Sequence, residues 1–152
     1  MKYWLMKSEP EEFSIDDLKN RPQKTEPWDG VRNYQARNFI RDEMKKGDLA
    51  FFYNSNCNEP GIVGLMEVCK EGYPDPTAFD KKDRHFDPKS DPDNPRWYLV
   101  NVKFKRKLKR VISLGELREK KPLQKMQLLQ RGNRLSVMPL TKKEWDYILS
   151  LE

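Results

Sequence analysis

Metal and disulfide chemistry are what this sequence most plainly lacks. Its 152 residues include one histidine, His85, and two cysteines, Cys57 and Cys69. These cannot supply the three or four spaced ligands of a zinc site, nor a disulfide framework. The acidic series Asp75, Asp80, Asp83, Asp87, Asp91 and Asp93 lacks EF-hand spacing and is interrupted by prolines, so it reads as a solvated loop. No metal and no cofactor are expected. No apolar run reaches the roughly 20 residues of a membrane-spanning helix. Tyr3-Trp4-Leu5-Met6 is too short for a signal-peptide core, so the expectation is a cytoplasmic protein with no membrane partner. Glycine is sparse, at seven residues, and forms no phosphate-cradling loop after a strand. Nothing around Cys57 visibly favours a thiolate. These absences argue against an enzyme.

Positive charge is present in excess: Lys and Arg number 30 against 24 Asp and Glu, for a net charge of +6. That surplus suits a polyanionic partner. The length suits one domain, residues 1–152. Tyr3 to Met6 reads as a short strand that stops at Lys7-Ser8-Glu9-Pro10, because proline cannot donate to a ladder. Ser14 and Asp17 approximate a capping box for a brief helix over 15–20. Ala36, Phe39, Ile40 and Met44 recur at helical spacing and predict a helix from Tyr34 to Lys46, with Asn33 as N-cap and Gly47 past its end.

Leu49 to Tyr53 is apolar on both faces and reads as a central strand, making a hairpin with a second strand over 62–68. Residues 71–95 hold too much proline and acid for a helix or central strand. Their length predicts a lid or binding loop, with Tyr73, Phe79 and Phe86 packing down. Residues 97–104 alternate as a strand with one wet face and run into the basic stretch Lys105 to Arg110. Ser113 and Glu116 cap a helix over 114–120, Pro122 opens another through Leu129, and 135–137 form a last strand before Pro139. Thr141 and Glu144 begin the final helix. The sum is an α+β fold built on a small, partly closed β-barrel of five or six strands, with short helices packed outside.

The stretch Trp28 to Asn38 sets an indole and a Gly30 turn directly before a helix N-terminus, a corner suited to a flat ring and an adjoining anion. Trp28, Tyr53 and Trp97 are candidate stacking surfaces. Ser8, Asn33, Asn54, Ser55 and Asn56 are short neutral donors and acceptors of the kind that read a base edge. Arg32, Arg37, Arg131 and Arg134 are candidate phosphate ligands, and Lys7 is a further cation at the first strand's end.

Several motifs carry a resemblance. Lys-Ser-Glu-Pro at 7–10, Trp-Asp-Gly-Val-Arg-Asn-Tyr-Gln-Ala-Arg-Asn at 28–38 and Phe-Tyr-Asn-Ser-Asn-Cys at 52–57 are similar to the EVE domain family. So are Pro-Gly-Ile-Val-Gly at 60–64, Tyr-Pro-Asp-Pro-Thr at 73–77, Asp-Asn-Pro-Arg-Trp at 93–97 and Arg-Gly-Asn-Arg-Leu-Ser-Val at 131–137. The resemblance implies a PUA-like fold, related to the YTH readers of methylated RNA. It also implies a non-enzymatic module that binds DNA or RNA carrying a modified base. Lys7, Ser8 and Trp28 match the positions that cage such a base in YTH domains, with Asn54 to Asn56 beside them. Many relatives have histidine where this chain has Asn54. Two other readings stay open: an enzyme acting on a nucleotide-like small molecule through Cys57, His85 or a carboxylate, and a protein-interaction module using residues 71–95.

Overall fold

The computed structural model describes residues 1–152. Six strands hydrogen-bond into one mixed sheet: β1 (Tyr3–Ser8), β2 (Thr25–Pro27), β3 (Leu49–Asn54), β4 (Gly61–Pro74), β5 (Tyr98–Ser113) and β6 (Val137–Leu140). Their order is β2-β5-β4-β3-β1-β6. The outer strands β2 and β6 do not pair with each other, so the sheet stays open. Four short α-helices accompany it: α1 (Ile15–Lys19), α2 (Tyr34–Asn38), α3 (Leu114–Glu119) and α4 (Lys142–Ser150). The α+β class and the strand number are those expected.

Only β1 and β3 run parallel. A parallel pair needs a crossover, and the intervening chain supplies it with α1, β2 and α2. The register sets Lys7 opposite Tyr53 and Ser8 opposite Asn54. The two strands therefore end side by side, where the chain turns into Glu9-Pro10 and Ser55-Asn56. β3 is apolar on both faces because both are covered. Phe51 stacks on Trp145 of α4 at 3.9 Å, while Phe52 on the opposite face meets Trp28 at 5.4 Å and Phe13 at 6.3 Å. Capping is as read at three helices: Ser14 with Asp17 and Thr141 with Glu144 form reciprocal boxes, and Asn33 Oδ1 accepts from Ala36 N. At α3 only Ser113 caps, because the Glu116 carboxylate is taken by Arg110 rather than closing the expected box.

Several boundaries differ from expectation. α2 ends at Asn38 and widens into a π-helical turn over Phe39–Glu43, closed where Met44 N donates to the Phe39 carbonyl at 2.9 Å. There the strand β4 intrudes, with Gly72 so close that a Cβ would lie 2.7 Å from the Ile40 carbonyl oxygen. β5 continues through the basic stretch to Ser113, because Leu108 and Ile112 keep one face buried while the long cations stay outside. The helix expected over 122–129 is two 3₁₀ turns, Lys121–Leu123 and Gln127–Leu129, since extended Met126 interrupts it. Pro139 lies inside β6 rather than after it. This is an edge strand, where a missing N–H is tolerated. The acidic loop is not wholly solvated either: Asp75 is fully buried.

Candidate functional site

The ends of β1 and β3, the Trp28–Val31 turn, the residues before α1 and the start of β6 enclose a cleft of about 590 Å³. That lies within the usual size range of small-molecule sites, roughly 300 to 1,000 Å³. Of the residues expected at a site, Lys7, Ser8, Trp28, Ser55 and Arg134 line it. Trp28 is only 7% exposed. Phe13 and Phe52 clamp it edge-on, with ring planes near 86° to its own, so a strip of indole rather than a whole face is open. Its N–H has no acceptor within the protein, unlike those of Trp4 and Trp97. The one buried side-chain polar atom left unpartnered in the molecule is Asn54 Oδ1, so the unbonded Trp28 N–H is not wholly enclosed.

The turn after Trp28 is held by the acidic loop. Gly30 has a φ of +79°, which disfavours any side chain, and a Cβ there would lie 2.5 Å from His85 Nε2. Its N–H donates to Asp75 Oδ2 at 2.9 Å. Arg32 Nη1 donates to the same oxygen at 3.0 Å, and its Nε and Nη2 donate to the His85 carbonyl. Thr77 N and Oγ1 both donate to Asp75 Oδ1. Burial alone raises the Asp75 carboxyl, but the bonds from Thr77, Gly30 and Arg32 outweigh it and hold the pKa below the ordinary aspartate value.

The rim is charged in both senses, with Glu9, Glu12, Glu26 and Asp29 facing Lys7, Arg21, Arg84 and Arg134. Arg84 pairs with Glu12, and Arg21 pairs with Glu26 at 3.4 Å. Lys7 and Arg134 enter no ion pair, and burial lowers the Lys7 pKa. The Asp29 carboxylate makes no hydrogen bond. Desolvation by the cleft walls, then the charge of Asp75, push its pKa up. Ser8 donates its hydroxyl to the Phe13 carbonyl at 2.6 Å and so offers the cleft its lone pairs.

The remaining expected residues lie off this wall. Tyr53 is buried beneath Lys7, whose Nζ stands 6.0 Å from the ring centroid, and burial pushes its phenol up to about 12. Trp97 donates its N–H to Asp87 at 2.7 Å and stacks on Tyr34 at 4.9 Å. Asn54 ends β3 behind the wall, and Asn56 donates to Glu9 at 2.8 Å. Arg37 donates to the Arg96 carbonyl at 2.7 Å and covers the Tyr34 ring. Asn33, Arg131 and Arg134 border an adjoining groove. Cys57 is absent from the wall, whereas His85 is part of it.

Sequence reasoning did not single out Asp29, Glu26, Phe13 and Arg84 as lining residues, and named His85 only for the enzyme reading. Asp29 was within reach of it, being next to Trp28 in the same motif. Glu26 lies two residues before Trp28, while Phe13, Arg84 and His85 come from segments that only the tertiary fold brings near.

The EVE domain family model matches residues 2–151. Thymocyte nuclear protein 1 from Rattus norvegicus is 55% identical over 99% of this chain and 73% of its own length. The Homo sapiens protein is 53% identical with the same coverage. The crystal structure of human THYN1 protein in complex with 5-methylcytosine containing DNA superposes with a TM-score of 0.95. It is 52% identical over 99% of this chain and 97% of that one. A protein from Pseudomonas syringae superposes with a TM-score of 0.94 at 48% identity, covering 98% of each chain.

Proposed function

This chain belongs to the EVE domain family, and on that footing we propose that it acts as a single non-enzymatic domain that binds DNA and receives one modified base in the cleft beside Trp28. The observation that carries this reading is the cleft itself. It combines a fixed indole edge with a free N–H, hydroxyl acceptors, an unpaired carboxylate and two unpaired cations within about 590 Å³. The likeness to a human protein solved with DNA containing 5-methylcytosine makes that base the first ligand to test.

In this reading Trp28 and Phe13 contact the base, and Ser8 and Asp29 accept from its exocyclic amino group, as a carboxylate does with cytosine N4. Lys7 and Arg134 meet the sugar-phosphate. Arg32, whose Nε, Nη1 and Nη2 all donate within the protein, stiffens the wall instead, and Arg37 is held off the cleft by its bonds to Asn38 and the Arg96 carbonyl. Extruding a base from duplex costs a few kcal/mol, and contact with aromatic rings returns about 1 to 3 kcal/mol per base. Hydrogen bonds to the base edge add to that, and a single strand or a mismatch removes most of the cost.

Equilibrium binding tests the proposal, using two oligonucleotides that differ only in cytosine or 5-methylcytosine at one position. The modified strand binds about tenfold tighter to the native chain, which is about 1.4 kcal/mol. Trp28→Phe, which keeps a ring in the core but removes the N–H and half the indole, reduces the ratio below threefold. Equal affinity of the native chain for the two strands, and for others carrying different modified bases, overturns it.

A further inference from the structure

A groove of about 290 Å³ opens beside the cleft and shares Arg134 and Leu135 with it as a common wall. Its chemistry is different. Gln35 comes from the first turn of α2, with Asn33 as the cap, and Gln127, Gln130 and Asn133 come from the turns before β6. No carboxylate lines it, whereas the cleft carries four. Its two cations, Arg131 and Arg134, enter no ion pair. By contrast Arg21, Arg32, Arg84, Arg96, Arg106 and Arg110 each face an acid.

Some of the carboxamides are also unspent. The Gln35 side chain makes no hydrogen bond within the protein. Gln130 Nε2 donates to the Gln124 and Met126 carbonyls, which fixes the side chain and leaves its oxygen free. Asn33 spends its oxygen on the helix cap, leaving its amide N–H₂. The groove thus sets neutral carboxamide donors and acceptors beside unneutralised guanidinium groups. This pairing suits a nucleotide, with a base edge at the carboxamides and a phosphate at the arginines. A strand with one base in the cleft has its next nucleotide within reach of the groove, because Arg134 borders both.

We infer that the groove seats the nucleotide adjacent to the modified base, holding its phosphate on Arg131 and Arg134 and reading its base edge with Gln35 and Gln130. This rests on the reading of the cleft given above. It makes the protein sensitive to sequence context, with the preference set on one side of the modified base only.

The test uses single strands carrying one 5-methylcytosine, with an abasic linker placed immediately 5′ or immediately 3′ of it. An abasic linker on one side weakens binding at least fivefold, and the same linker on the other side changes it less than twofold. In Gln35→Ala the one-sided loss shrinks below twofold. Gln35 is exposed and unbonded, so its removal leaves the fold intact. In Arg131→Ala every strand weakens, and the slope of log affinity against log salt falls by about 0.7, the single-strand increment for one lost phosphate contact. If neither linker matters while 5-methylcytosine is still preferred over cytosine, the groove assignment is overturned and the cleft reading survives. If the native chain shows no preference for the modified base, both are overturned.

Discussion

Asp75 shows how a single carboxylate shapes the site without touching its contents. It is fully buried, yet it gathers bonds from Gly30, Arg32 and Thr77 and so ties the turn after Trp28 to the loop that carries His85. Its folded-state pKa lies below the ordinary aspartate value, so the unfolded chain takes up the proton more readily. The stability it contributes is therefore complete above the unfolded value of about 3.9 and is lost as pH falls through the lower folded value. Asp75→Asn replaces acceptors with an amide facing the Gly30 N–H and the Arg32 guanidinium, and costs about 3 kcal/mol of stability. Urea denaturation checks this at pH 7, where the variant's midpoint drops. Repeated from pH 5 to pH 3, the variant loses less stability than the native chain. Identical midpoints for the two chains at pH 7 contradict this account of the turn.

At the scale of elements, the fold depends on places where strands and helices come closer than side chains allow. Gly72 of β4 lies against the backbone of the π-helical turn, where a Cβ would meet the Ile40 carbonyl oxygen at 2.7 Å and the Arg41 Cα at 3.2 Å. Neither neighbour is a flexible side-chain end. Gly72→Ala therefore forces backbone to move and destabilises by about 2 kcal/mol. A thermal melt checks it, and an unchanged Tm contradicts the close approach.

This contact also shows what the sequence does and does not disclose. The helix caps at Ser14, Asn33, Ser113 and Thr141 are legible because a cap joins residues three positions apart. The two-faced burial of β3 is legible because its side chains from Leu49 to Tyr53 are all aliphatic or aromatic. The π-helical turn is not legible, since Gly72, which abuts Ile40 and Arg41, lies more than thirty residues further on. The extension of β5 through Lys105 to Arg110 hides behind its charge, and only Leu108 and Ile112 betray the strand period. The site divides in the same way. Trp28, Ser8 and Lys7 sit at motif positions and line the cleft, while Arg32 carries the same charge as Arg134 but is taken up by an acid 43 residues away.

For the molecule as a whole, the +6 charge is distributed unevenly around the two cavities. The cleft balances acids against bases, whereas the adjoining groove is positive and neutral only. In the proposed reading a polyanion is drawn to the groove, and the cleft is left to discriminate by shape and hydrogen bonding. The most direct measurement of the central claim follows the indole N–H resonances of the four tryptophans by two-dimensional NMR. A single strand containing 5-methylcytosine is titrated in beside its unmodified counterpart. The account predicts that the Trp28 resonance, assigned by its loss in Trp28→Phe, moves strongly with the modified strand and weakly with the unmodified one. The resonances of Trp4 and Trp145, buried elsewhere in the core, stay in place. A Trp28 resonance that stays fixed, or that moves equally with both strands, contradicts the claim that this cleft holds the modified base.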